Sequence, residues 1–319
     1  MNILLSAFHI LIFPGLLFII VMGVLLLGLN NKLVARMQNR VGPPILQPWY
    51  DFLKCCGKET IVPRHAKKEI FLGAPFLGLA VLLSCALFIP VQGHTAFSAP
   101  VDLIVVLYLL TFVSVMGIVG ASASGSPYAG VGLSREMVAM IAYELPFVLV
   151  ILAVGRICGQ DTAQGATFSL REISAWQQAN GSVAAHWYMI PAAIAMLLVI
   201  PCEAGMHPFD IAEAETEIAE GALTEYSGLP LAAYKLTHTV KVYVMSALFV
   251  TMFLGGIHTG SAILNFIILI VLCAVVTFLS MTLPHAVCAR LKVEQVFKFF
   301  WTVVTGLALL SLILVWYGL

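Results

Sequence analysis

Residues 202–228 read CEAGMHPFDIAEAETEIAEGALTEYSG. They hold seven of the sixteen acidic residues of a 319-residue chain: Glu203, Asp210, Glu213, Glu215, Glu217, Glu220 and Glu225. The sequence on both sides is strongly apolar, so this stretch reads as a structured polar loop between lipid-embedded helices. Pro208 precedes good helix formers and Gly221 follows them, which predicts a helix over Asp210–Glu220. At 3.6 residues per turn, Asp210, Glu213, Glu217 and Glu220 then fall within an arc of about 80°. Ile211, Ala214, Ile218 and Ala222 form the adjoining apolar stripe. Carboxylates so spaced repel, so they must be hydrated, matched by bases from elsewhere, or partly protonated. A charge run is usually a solvated surface. Here the one-sided spacing and the breaks at Pro208, Gly221 and Gly228 favour a functional segment.

Composition supports the lipid setting. The chain is 61% hydrophobic and only 10% charged, against about 25% charged residues in soluble domains. The expected fold is an all-α polytopic membrane protein, a single integral membrane domain over residues 1–319. A net charge of zero implies no nucleic-acid surface. The first apolar run is too long for a signal peptide and no basic residue precedes it, so it is expected to remain as a helix. None of the seven cysteines forms Cys-x-x-Cys, and no metal is expected in this chain.

About 20 apolar residues cross a bilayer, which predicts eight spans: 3–29, 70–91, 101–123, 137–158, 186–205, 238–257, 262–283 and 299–317. Residues 30–69 carry eight of the sixteen basic residues, so this loop is expected in the cytoplasm, with both termini outward. The acidic loop, 206–237, then shares its side. Within the basic loop, Lys32, Arg36 and Arg40 recur every fourth residue, as on a helix leaving the membrane. Pro48 to Gly57 predicts a short helix with Trp49, Phe52 and Leu53 on one side, suited to an interface. The small residues from Gly117 to Gly132 predict close helix packing.

The fourth expected span opens at Arg135-Glu136 and contains Tyr143-Glu144-Leu145-Pro146. Glu144 lies roughly 12 Å inside the apolar run. Carboxyls at such depth usually line ion or proton paths. Pro146 removes a backbone donor and frees a carbonyl one turn back. Glu203 ends the fifth span. Lys235, His238 and Lys241 open the sixth, where Lys241 is the one deep enough to need a carboxylate partner. Asp102 opens the third span as a cap or a weak exit group. Glu136, Glu144, Glu203, Asp210, Glu213, Glu217 and Glu220, with Lys241, thus form a candidate proton path between loop and membrane. No nucleotide, flavin or metal signature accompanies them, so redox chemistry must lie in other chains.

Three strings carry a family resemblance: RMQNRVGPPILQPWYDFLKCCGKE, YELP, and PFDIAEAETEIAEG followed by TEYSG. They resemble the membrane-anchor subunit of respiratory complex I, and most closely its counterpart in energy-converting, membrane-bound nickel-iron hydrogenases of the formate hydrogenlyase type. The resemblance covers nearly the whole chain. It implies a non-catalytic anchor linking a peripheral redox arm to antiporter-like subunits that move protons or sodium. Partners would be hydrogenase large and small subunits and an iron-sulfur protein, holding the nickel-iron and iron-sulfur centres. Arg36, Arg40, Asp51, Lys54, Glu215, Glu225 and Tyr226 would contact that arm. Two departures from complex I favour the hydrogenase branch: a shortened segment between Gly42-Pro43 and Gln47-Pro48, and Met206 where complex I members carry arginine.

Overall fold

The computed structural model describes residues 11–12, 15–91, 97, 99–160, 165–257, 259 and 261–317. Within them the chain is helical throughout: α1 (Leu16–Met37), α2 (Gln47–Cys56), α3 (Lys68–Ala86), α4 (Asp102–Ser124), α5 (Pro127–Cys158), α6 (Leu170–Asn180), α7 (Ile190–Glu203), α8 (Gly228–Phe253), α9 (Ile263–Val287) and α10 (Val293–Trp316). Helices satisfy their own backbone polar groups, the requirement hydrocarbon imposes. Seven of these are long and apolar enough to cross a membrane. The eighth expected span is the shorter α7. Its 14 residues reach about 21 Å, short of a ~30 Å hydrocarbon core. Helix α7 ends at Glu203, which is buried within the bundle.

Helix α8 is the axis of the bundle, with 94% of its apolar window buried. It packs on α1, α2, α3, α6, α7 and α9, while α3–α4 and α5–α10 form the outer pairs. Helix α2 is the expected interfacial element. Trp49 and Phe52 stack at 5.5 Å, Trp49 and Leu53 are exposed, and Cys55 faces inward.

Several boundaries differ from the sequence reading. Helix α1 runs on to Met37 rather than 29, and α10 begins at Val293 rather than 299. Residues 3–10 and 13–14 of the first expected span lie outside the described residues. Helix α5 begins at Pro127 rather than 137, so Arg135 and Glu136 lie two turns within it. Helix α8 begins at Gly228 rather than 238, so Lys235, His238 and Lys241 are helical and the acidic loop shortens to 204–227. Both starts use proline near the first turn after an extended serine, a strong local helix entry. The predicted helix over Asp210–Glu220 is a single turn, Glu215–Ile218. Ala219, Glu220 and Gly221 adopt positive φ, which ends any helix there. Asp210, Glu213, Glu217 and Glu220 consequently share no helix face.

Candidate functional site: a buried ionisable series

The acidic loop is fixed at three places. Near its start the Leu291 amide donates to the Pro208 carbonyl at 3.2 Å, and Arg290 pairs with Asp210 at 2.9 Å. Phe209 packs against Phe299 and Phe300 of α10. Burial and the Arg290 charge hold His207 below the usual imidazole range, so it is neutral at pH 7. In its middle the loop lies on α5 at Gly132. A Cβ there would come within 2.7 Å of the Ala222 nitrogen and 3.0 Å of the Ala212 carbonyl oxygen. At its end Tyr226 stacks on Phe71 with ring centroids 4.1 Å apart. The Ser227 hydroxyl accepts from the Ile61 amide at 2.9 Å and donates to the Glu59 carbonyl at 3.2 Å. The two polar loops are thus joined to one another.

Anchoring the loop by its apolar residues decides where its acids go. Ile211, Ala212, Ala214 and Ile218 are buried, which turns Glu217 outward to an exposed ion pair with Arg135. Such a pair is worth less than about 1 kcal/mol. Glu213 is exposed to solvent, with protein and other carboxylates close about it. Dehydration there, reinforced by Asp210, Glu136 and Glu220, pushes its carboxyl up to about 8.

Deeper in, four helices converge on one ion pair. Lys241 of α8 meets Glu203 of α7 at 2.8 Å. Its ammonium also donates to the Ser114 hydroxyl of α4 at 3.0 Å. Ser114 lies 3.3 Å from the Tyr143 hydroxyl of α5, and Tyr143 interacts electrostatically with Glu203. All four side chains are buried, and their polar atoms surround a pair that burial alone would penalise heavily. Glu136, two turns before Tyr143, is half-buried and feels the charges of Lys241, Glu203 and Asp210. Glu144 interacts electrostatically with Glu203 and lies beside Thr111, whose hydroxyl donates to the Leu107 carbonyl at 3.0 Å. The Glu144 Oε1 is buried without a hydrogen-bond partner among the described residues.

The structure therefore brings Glu136, Glu144, Glu203, Asp210, Glu213 and Lys241 into one electrostatically linked series. Glu220 joins only through Glu213, and Glu217 is turned away. Lys235 is exposed, and His238 bonds the Gly205 backbone. Asp102 does not cap its helix: it is fully buried and accepts from the Ala99 amide at 2.5 Å. Of the expected docking residues, Arg36, Arg40 and Lys54 are exposed and Glu225 is half-exposed. Asp51 accepts from Gln47 at 2.9 Å. Tyr226 is buried under Phe71, so it supports the loop from within instead of facing a partner. The Glu215 side chain lies outside the described residues. Sequence reasoning missed Ser114, Tyr143, Thr111 and Arg290. Tyr143 was adjacent to a chosen residue and Ser114 stood in an apolar run, but neither signals its partner. Among the described residues no cluster of three or more His, Cys, Asp or Glu could hold a metal.

A short helix ending on a buried acid, a central helix presenting a lysine to it, and a pinned acidic loop define a multi-pass membrane subunit with an internal ionisable chain. Residues 9–316 match the NADH dehydrogenase family, and the chain belongs to it. It is 34% identical to one subunit of the NADH-quinone oxidoreductase of Thermomicrobium roseum, covering 89% of this chain and 87% of that one. NADH-quinone oxidoreductase subunit 8 of Thermus thermophilus is 31% identical, covering 88% and 78%. Among solved structures it resembles a chain of the membrane-bound sulfane sulfur reductase, an archaeal respiratory membrane complex. The TM-score is 0.87 at 28% identity, covering 99% of this chain and 100% of that one. The protein is a membrane subunit of a complex I-like energy-coupling complex.

Proposed function

We propose that this chain is the membrane-anchor and coupling subunit of an energy-converting, membrane-bound nickel-iron hydrogenase. It links electron transfer in a peripheral arm to proton or sodium translocation in antiporter-like partner subunits. The observation that carries the coupling role is the linked series from Glu213 through Asp210 and Glu136 to Glu203, Lys241 and Glu144. Each group lies near enough to bias the charge of the next. A proton taken up in the loop therefore changes the preferred charge state of the buried acids. The nickel-iron and iron-sulfur centres belong to the partner hydrogenase subunits and iron-sulfur protein. In this reading the chain lies in the cell membrane with its basic and acidic loops in the cytoplasm and both termini outside.

Met206 supports a partner other than a quinone reductase. It is buried and supplies no cation where complex I members carry arginine. The full-length likeness to a sulfane sulfur reductase chain supports the idea that this fold serves more than one redox arm. A second reading, a quinone-site subunit, is favoured by the names of the two oxidoreductase relatives. Purifying the chain with its native partners separates the two: co-purifying hydrogenase subunits support the first, and quinone-dependent turnover supports the second. A third reading, a stand-alone ion transporter, requires the chain alone to move ions in liposomes. Within the intact assembly, Glu144→Gln should leave redox turnover measurable while lowering ion movement per turnover. Unchanged pumping in both Glu144→Gln and Glu213→Gln would remove the coupling role.

A further inference from the structure

Helix α8 is polar on two sides. Ser246 lies five residues beyond Lys241, about 140° around the helix, and Tyr243 about 200° around it. These residues face α1 and α9, away from the Glu203 pair. Ser246 lies 3.0 Å from the Thr277 hydroxyl of α9, and Thr277 bonds the Cys273 carbonyl at 2.7 Å. Residues Phe278–Thr282 are π-helical, a wide turn often found at functional sites. The turn directs Thr282 onto Asn30 of α1, where its hydroxyl donates to Oδ1 at 2.8 Å. Ser246, Thr277, Thr282 and Asn30 are all at most 2% exposed. No carboxylate or lysine among the described residues joins these four here.

Asn30 is over-supplied with hydrogen-bonding capacity. Its Nδ2 is buried and meets no partner among the described residues. Exchanging the amide oxygen and nitrogen does not help: Nδ2 then serves Thr282, and Oδ1 becomes the orphan. Further along the same helices, beside Cys273 and Phe18, the Tyr243 hydroxyl is also buried and without a partner among the described residues. Buried polar groups of this kind are costly unless paired, and internal water is the usual partner where protein atoms are absent.

We propose that the seam between α1, α8 and α9 is a binding site for internal water, held by the Asn30 amide beside the Thr282 hydroxyl. Asn30–Thr282 and Thr277–Ser246 are two polar pairs along this seam, separate from the carboxylate series. Hydroxyls and an amide can hold water but do not store charge. Water held there hydrates the π-helical turn without competing with Glu203 and Glu144 for protons.

The test is a map of the purified assembly that resolves water beside Glu203 and Lys241. Density within about 3 Å of the Asn30 amide is expected, and a dry seam in that map overturns the proposal. Thermal melting of the assembly gives an independent reading. With water present, Asn30→Leu expels it and lowers the melting temperature by about 2 °C or more. Asn30→Ala leaves room for further water and recovers part of that loss. With a dry orphan the order reverses: Asn30→Leu melts at or above wild type, and Asn30→Ala, which leaves a cavity, is the less stable variant.

Discussion

Lys241 Nζ lies 2.8 Å from Glu203 Oε1, and both side chains are buried where α4, α5, α7 and α8 converge. Removing one partner of such a pair strands the other charge and costs roughly 3–5 kcal/mol. Lys241→Met and Glu203→Gln should each sharply lower the melting temperature of the assembly. The double variant should be less destabilised than the sum of the two. Strict additivity in a double-mutant cycle would contradict a direct pair.

Glu213 gives a pH dependence of known sign. Its carboxyl is pushed up to about 8, above the ordinary value near 4.3 for an unfolded chain. Between those values the folded loop holds a proton that the unfolded loop does not. The contribution of Glu213 to loop stability is therefore fully present below about pH 4.3 and falls as pH rises toward 8. Hydrogen exchange over residues 204–227 should quicken across this interval. Glu213→Gln should flatten the dependence, and an unaltered profile in that variant would assign the effect to another group.

Gly132 is required by contact. A methyl group there would press on the Ala222 nitrogen and the Ala212 carbonyl oxygen. Both are backbone atoms, so the loop must shift. Gly132→Ala should cost about 1–3 kcal/mol and raise hydrogen exchange across residues 212–222. Normal exchange there would mean that the loop does not rest on α5.

Ser227 ties the acidic loop to the basic one through Ile61 and Glu59. Ser227→Ala removes both bonds at a cost of about 1 kcal/mol. Faster amide exchange at Ile61 is the expected signature. No change at Ile61 would show the loops to be held by the Tyr226–Phe71 stack alone.

Cys288 is the exposed cysteine of the described residues, whereas Cys55, Cys85, Cys158, Cys202 and Cys273 are buried. A membrane-impermeant maleimide should label Cys288 from the cytoplasmic side of sealed vesicles. Labelling from the outer side alone would invert the proposed orientation.

The sequence by itself determined the architecture. Long apolar runs in water are prohibitively exposed, and in lipid only a helix can satisfy its own backbone. Most spans and the short helix after Pro48 were therefore legible from composition and local breaks. So were the identities of the ionisable groups, since a Glu144 or Lys241 in an apolar run is conspicuous by type alone. What the tertiary structure decided was which groups meet. The Asp210–Glu220 stretch has helical spacing, yet it completes only one helical turn and buries Ile211, Ala212 and Ala214 in a loop that rests on α5 at Gly132. Positive φ at Ala219, Glu220 and Gly221 follows from that anchoring. This separates Glu217 from Glu213 and pairs Asp210 with Arg290, 80 residues away. Likewise Lys241 finds Glu203, Ser114 and Tyr143 because a short helix ends inside the bundle. Periodicity reports a residue's own helix face. Pairing energies between distant segments depend on distance and burial, which are properties of the assembled bundle.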